Sequence, residues 1–263
     1  MKKKGSELFW ENITALPYFR GFLRAVEGRY YQEIDMTHPI LDLGIGDGHF
    51  SSITFPFKIE MGIDPGFIEL IEAKKKCSET IHICGMGANL PLKNAHFSTI
   101  FSNSVLEHIE YLDPVLCEVN RVLVKNGRFI VTVPNSNFTE NLSIARFLTS
   151  INLKRCAVLY QRFFNHISRH HHPDAVSEWA ERFKKAGFNI RTSWNYFPKQ
   201  SLKILEWGHL FGIPAWISKK LFGKWILFPT RWNLWIITSW LEEVYIKDQT
   251  ADDGAYTFFI LEK

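Results

Sequence analysis

Four cysteines (77, 84, 117 and 156) are all that 263 residues contain, and no two of them form a Cys-x-x-Cys pair. That argues against a disulfide framework and the usual zinc spacings, and a reducing cytoplasm is the expected setting. No uncharged run approaches the roughly 18 residues that a membrane-spanning helix requires. Lys2, Lys3 and Lys4 are followed by Glu7 and Glu11, which leave no apolar region of the kind a signal peptide needs. A formal charge of +4 is mild, and no concentrated basic stripe accompanies it, so no nucleic-acid partner is expected. There is no internal repeat and no low-complexity tract.

What the chain does have is a sharp transition at residues 40–48, Ile-Leu-Asp-Leu-Gly-Ile-Gly-Asp-Gly. An apolar run of strand length ends in Gly44, Gly46 and Gly48, with an acid at Asp42. Glycine tolerates positive φ and carries no side chain, so such a loop can turn sharply and lie against a ligand. A strand, a glycine loop and a helix in that order is how open α/β sheets hold nucleotide-like cofactors. As an isolated match the loop is equally a plain connection.

The rest of the chain repeats the alternation. Strands are expected at 40–43, 58–63, 81–84, 98–103, 127–133, 188–197 and 255–261. Helices are expected at 49–54, 66–76, 114–124, 139–164 and 174–186, with two short ones in 6–33 broken at Pro17. Asp113 reads as the cap of the helix at 114–124, with Pro114 in its first position and Asn126-Gly127 as its stop. Strands alternating with helices of this length imply βαβ units and a mostly parallel sheet with helices on both faces. Four segments follow: a helical lid at 1–37, a core at 38–197, a Trp-rich basic insertion at 198–250, and a final core strand in 251–263.

The loop separates two cofactor classes. A dinucleotide fingerprint needs a third glycine where His49 stands, which counts against a nucleotide-linked oxidoreductase. Asp64 ends the second strand about twenty residues on, where a carboxylate can accept hydrogen bonds from both ribose hydroxyls. A nucleoside without phosphates suits that arrangement. Downstream come Leu90-Pro91-Leu92, Asn103-Ser-Val-Leu-Glu-His-Ile109, Leu116–Val124, Asn126-Gly127 and Phe129–Asn135. This ordered series resembles the class I S-adenosylmethionine (SAM)-dependent methyltransferases of the type 11 group, which includes the ubiquinone and menaquinone biosynthesis methyltransferases. The resemblance is close over 38–136, looser to about 197 and absent over 198–250.

The resemblance implies a Rossmann-like, seven-stranded methyltransferase fold with SAM as cofactor. It places Asp42 facing the methionine amino group, Gly44, Gly46 and Gly48 beneath it, and Asp64 on the ribose. Ser102 and Asn103 would line the sulfur that carries the methyl group. The family's acid for the adenine amino group is replaced here by Met86, so backbone groups of Met86 and Gly87 would have to recognise it. A thioether can pack on adenine but cannot stand in for a carboxylate.

For the chemistry, His108 stands just after the fourth strand, where an acceptor would enter, and His is suited to proton removal near neutral pH. The alternative is a surface or capping histidine. His170 and His172, in the cluster Arg169–His172, could supply a base or bind an anionic group, or belong to a solvated loop. Glu107-His108 also resembles the end of a Glu-x-x-Glu-His metal motif, but Ser104 replaces its first Glu, and no metal is assigned. Six of the nine tryptophans (207, 216, 225, 232, 235 and 240) crowd into the last quarter beside Lys219, Lys220, Lys224 and Lys247. Aromatic rings with lysines suit a cap over a lipophilic acceptor or a foot on an anionic membrane; extra core or a dimer contact is the other reading. The expectation is methyl transfer to a small-molecule or lipid-linked acceptor. The alternatives are a non-catalytic binding module on the same fold and, behind it, the oxidoreductase.

Overall fold

The computed structural model describes residues 4–226, 228–248 and 250–263. Two helices, α1 (Gly5–Ala15) and α2 (Tyr18–Gln32), precede β1 (Ile40–Leu43), α3 (His49–Thr54), β2 (Met61–Asp64), α4 (Phe67–Lys76), β3 (Ile81–Cys84) and β4 (Phe97–Asn103). A single 3-10 turn (Leu106–His108) leads to α5 (Leu112–Val122) and β5 (Leu123–Pro134). Then follow α6 (Asn137–Glu140), α7 (Ser143–Ser150), α8 (Lys154–Ser168), α9 (Val176–Lys185) and β6 (Asn189–Tyr196). The chain continues through α10 (Lys199–Phe211), α11 (Ile213–Phe222) and α12 (Arg231–Lys247) to β7 (Tyr256–Glu262).

The strands form one seven-stranded sheet in the order β3-β2-β1-β4-β5-β7-β6. All neighbours run parallel except β7, which is antiparallel to both β5 and β6. The order reverses between β1 and β4, and a crevice opens beyond the carboxyl ends of strands at such a point. Side chains alternate across the sheet with period two. Leu41, Leu43, Ile100 and Val131 therefore pack with α5 and α9 on one face. Ile40, Phe101, Ile130 and Phe258 pack on the other with the amino-terminal helices and with Leu202, Leu205, Leu241 and Tyr245 of α10 and α12. The two segments read separately, 1–37 and 198–250, thus share one helical layer.

Several local expectations change. The fifth helix begins at Leu112, with Tyr111 as its N-cap and no side-chain cap bond, so Asp113 lies inside the first turn. Its charge there still complements the helix dipole, and Pro114 falls among the positions whose N–H has no helical partner. The helix does not reach Asn126-Gly127, because the chain enters β5 at Leu123. Residues 139–164 are not one helix but the end of α6, then α7 and most of α8. The Glu206 carboxylate of α10 accepts the Ser143 and Ile144 amides at 2.6 and 3.1 Å and so starts α7 afresh. The strand expected at 58–63 occupies Met61–Asp64, and α8 runs through His166 to Ser168, past the helix end expected at 164.

In the insertion Trp232, Trp235 and Trp240 are exposed (89%, 65% and 53%), as are Phe222 and Phe228. The Trp216 side chain lies outside the described residues. Among the described residues no helix is long and apolar enough to cross a membrane.

Candidate active site

The glycine loop sits at the carboxyl end of β1. Gly44, Gly46 and Gly48 all have positive φ (88°, 54° and 72°). A Cβ on Gly48 would lie 2.9 Å from the Ala73 Cα, so α4 closes against the loop only because glycine is there. On Gly46 a Cβ would meet nothing within 4 Å. That open face is bounded by Asp64, whose Oδ2 accepts the Gly46 amide at 2.9 Å while Oδ1 accepts the Gly66 amide at 2.8 Å. A carboxylate has about four lone-pair directions, so two remain for a ligand.

Asp42 is buried beneath the loop and accepts the Ser51 hydroxyl. Burial, and secondarily the Asp64 charge, raise its carboxyl to about 7, although the Ser51 bond pulls the other way. Such a group gains from a cation placed beside it. His49, where a third glycine would stand, is buried against Asn12 of α1 (Nε2 to Oδ1 3.1 Å) and pushed to about 4 by burial. As a neutral side chain it ties α1 to the loop.

Ser102 and Asn103 stand at the carboxyl end of β4, with their side chains bonded within the protein. Ser102 donates to the Leu43 carbonyl at 3.0 Å, and Asn103 is held between Thr132 Oγ1 (2.7 Å) and Glu27 Oε2 (2.9 Å). Buried polar groups take internal partners, and these two are engaged inside the protein. Ser104, one residue on, lines the cleft instead. Met86 and Gly87 stand just past β3, on the Asp64 side of the sheet edge, where the Gly85 amide bonds the Asp64 carbonyl at 3.1 Å. Met86 is 63% exposed.

A cavity of about 1190 Å³ extends from Asp64 and Ser104 between α2 and α8. Its walls include Arg20, Leu23 and Arg24 of α2, Glu107 and His108, Phe138, Tyr256, and the end of α8 with the loop to His171. His108 Nδ1 lies 2.9 Å from the Arg169 carbonyl. A carbonyl only accepts, so the proton is on Nδ1, and Nε2 keeps its lone pair. Burial lowers the His108 pKa below its ordinary value, so that lone pair is available at neutral pH. His170 stacks 4.7 Å from Phe138 and 5.6 Å from His108, and burial pushes it to about 3, a permanently neutral ring. His172 is not in this wall: Nε2 bonds the Ile109 carbonyl at 2.8 Å and Nδ1 lies 3.5 Å from Asp174. Nε2 thus pins the loop to the turn after β4, while Nδ1 faces an acid of the loop itself. Among the described residues no cluster of metal-ligating side chains occurs.

Sequence reading missed Glu27, Arg24 and Glu107 as site residues. Glu27 is buried in the middle of α2 and joins Arg24, Asn103, Ser104 and Tyr196. Glu107 is 1% exposed, its Oε2 has no partner, and burial raises its carboxyl from 4.5 to about 8. A raised carboxyl keeps its proton in the fold while the unfolded chain has released it. Stability therefore falls as pH climbs from above 4.5 through about 8. Between pH 6 and 9 the wild type should lose about 2 kcal/mol relative to Glu107→Gln. Urea denaturation across that range measures it; parallel curves for the two proteins would mean that Glu107 does not titrate in this way.

Comparison with known proteins bears on this geometry. Residues 41–131 match the family model described as a methyltransferase domain. A SAM-dependent methyltransferase of Thermotoga maritima, described as a possible histamine N-methyltransferase, superposes with a TM-score of 0.57. It is 16% identical, and the match covers 92% of this chain and 88% of that one. The cyclase SpnF superposes with a TM-score of 0.54 at 16% identity, over 93% of this chain and 82% of that one. The fold is that of the class I methyltransferases. SAM is the cofactor that this fold and the matched domain imply. An uncharacterized protein of Methanocaldococcus jannaschii is 32% identical over 99 residues, 37% of this chain. The chain spans about two fifths of the length of the curated relatives it matches (41% and 43%).

The residues present fit that cofactor. Gly46 leaves the space, Asp64 keeps free lone pairs beside it, and Asp42 is a buried acid that a cation would stabilise.

Proposed function

We propose that the protein transfers a methyl group from SAM to a small-molecule or lipid-linked acceptor bound between α2 and α8. The carrying observation is continuity: Asp64 and His108 line one cavity. When bound, the cofactor supplies an activated methyl on a sulfonium, which leaves the protein to position the nucleophile and exclude water. Asp64 would hold the ribose and the loop at Gly46 would underlie the methionine part. Asp42 would face its ammonium group. His108 Nε2 is the proton acceptor for a nucleophile that must lose a proton. Leu23, Phe138 and Leu205 give the cavity its apolar wall.

The test is a thermal-shift comparison of SAM, S-adenosylhomocysteine and NAD. SAM and S-adenosylhomocysteine should each raise the melting temperature by several degrees at about 100 times their Kd, equivalent to about 2.7 kcal/mol. Stabilisation by NAD alone would favour an oxidoreductase. Binding without turnover on any acceptor class would favour a non-catalytic module.

A further inference from the structure

The cavity wall carries three guanidiniums that are open to solvent and form no ion pair within the described residues: Arg20 of α2, Arg162 of α8 and Arg169 at its carboxyl end. Other arginines do: Arg24 is 2.7 Å from Glu27, Arg121 2.7 Å from Glu118 and Arg182 3.0 Å from Asp174. The two acids in the same wall do not supply the balance. Asp64 stands at the glycine loop, where it holds the Gly46 amide, and forms no ion pair with these arginines; Glu107, raised to about 8, is largely protonated at neutral pH. Desolvation within the cleft, then the neighbouring charge of Arg24, weaken the hold of Arg20 on its proton; the Asp47 carboxylate opposes them and Arg169 adds to them.

A bound cofactor deepens the imbalance. Its sulfonium and ammonium outweigh its one carboxylate, so it brings a net positive charge. Arg20, which feels the Asp47 charge of the glycine loop, can answer that carboxylate; Arg162 and Arg169 still lack a carboxylate partner.

Two hydrogen-bonding groups point the same way. Besides Glu107 Oε2, the Ser168 hydroxyl, His170 Nδ1 and Asn165 Oδ1 are buried in the cavity wall with no partner; the hydroxyl and the His170 nitrogen can donate to an anion, while Asn165 Oδ1 only accepts. Leaving buried polar atoms unsatisfied is costly, so a ligand that bonds them gains. Arg169 has left-handed backbone geometry (φ 57°, ψ 34°), rare for a residue with a side chain. Its carbonyl is fixed by His108 and its amide bonds the His166 carbonyl at 3.0 Å, so the turn that carries the guanidinium is held.

We propose that the acceptor carries a dianionic group, phosphate or dicarboxylate, which Arg162 and Arg169 bind in the cleft between α2 and α8. Guanidinium forks match both oxyanions in a bidentate way. This rests on the methyl-transfer reading for the word acceptor, but the anion site itself is testable without turnover.

Calorimetry on the S-adenosylhomocysteine-loaded protein, with inorganic phosphate and succinate as separate probes, tests it. At least one probe should bind, and Arg162→Gln/Arg169→Gln should weaken that binding about tenfold or more. The affinity for S-adenosylhomocysteine should stay within about twofold, which also shows that the variant is folded. Preference for phosphate or for succinate tells the two anion classes apart. Failure of both probes to bind at about 10 mM, or equal binding by the variant, would overturn the anion site. Failure of the wild type to take up S-adenosylhomocysteine would instead overturn the methyl-transfer reading and leave the anion result to stand on phosphate or succinate binding to the unloaded protein.

Discussion

Asp64→Ala should weaken SAM binding about 100-fold, equivalent to about 3 kcal/mol. Two losses add up to that figure. The ribose loses charge-assisted hydrogen bonds, each contributing about 1.5–3 kcal/mol when one partner is ionised. The loop loses its anchor as well, since the same carboxylate holds the Gly46 and Gly66 amides at 2.9 and 2.8 Å. Asp64→Asn should fall between the two, because it retains one carbonyl oxygen but turns an NH₂ group towards one of those amides. Calorimetric titration measures the affinities, and circular dichroism checks that each variant is folded. Wild-type affinity in Asp64→Ala would remove the ribose contact and, with it, the reason for placing the cofactor on this loop.

The strand-and-loop geometry that carries Asp42, the glycines and Asp64 was legible in sequence because it is local. An apolar run, a turn that only glycine can make, and an acid at the end of the next strand each follow from backbone geometry over a few residues. The seven strands were legible for the same reason: strand and helix patterns alternate, and the register of a parallel sheet keeps successive carboxyl ends on one edge. Ser102 and Asn103 were harder. Their positions on β4 follow from the pattern, but their partners do not. Asn103 and Ser104 meet Glu27, 76 and 77 residues away. The break between α6 and α7 has a similar origin, since Glu206 starts α7 from 63 residues away.

One long-range feature did leave a local mark. Glu27 stands among Phe22, Leu23, Ala25 and Val26 on the buried side of α2. An acid on an apolar helical face is seldom there without partners. Read that way, the amino-terminal helices were candidates for a wall of the site. His172 is the converse case: three histidines in a row suggest one shared surface, yet a loop can turn neighbouring side chains in opposite directions.

Glu27→Ala should then have the largest effect on stability, about 3–5 kcal/mol. The Glu27 carboxylate accepts Arg24 Nη1 at 2.7 Å, Asn103 Nδ2 at 2.9 Å, Ser104 Oγ at 2.7 Å and Tyr196 OH at 3.1 Å. Those donors come from α2, from the end of β4 and from β6, so one buried side chain joins the helical layer to two separated strands. Alanine would leave four donors around a void and a guanidinium without its counter-charge, and the penalty for unmet buried groups exceeds the net worth of the bonds. Glu27→Gln keeps the volume but removes the charge and sets an NH₂ group against some of the same donors, so it should recover only part of the loss. For a chain of this size the alanine variant should melt about 10 °C lower. A fall smaller than about 1 kcal/mol in urea denaturation would show that the four donors find other partners, and that α2 is held to the sheet by apolar packing alone.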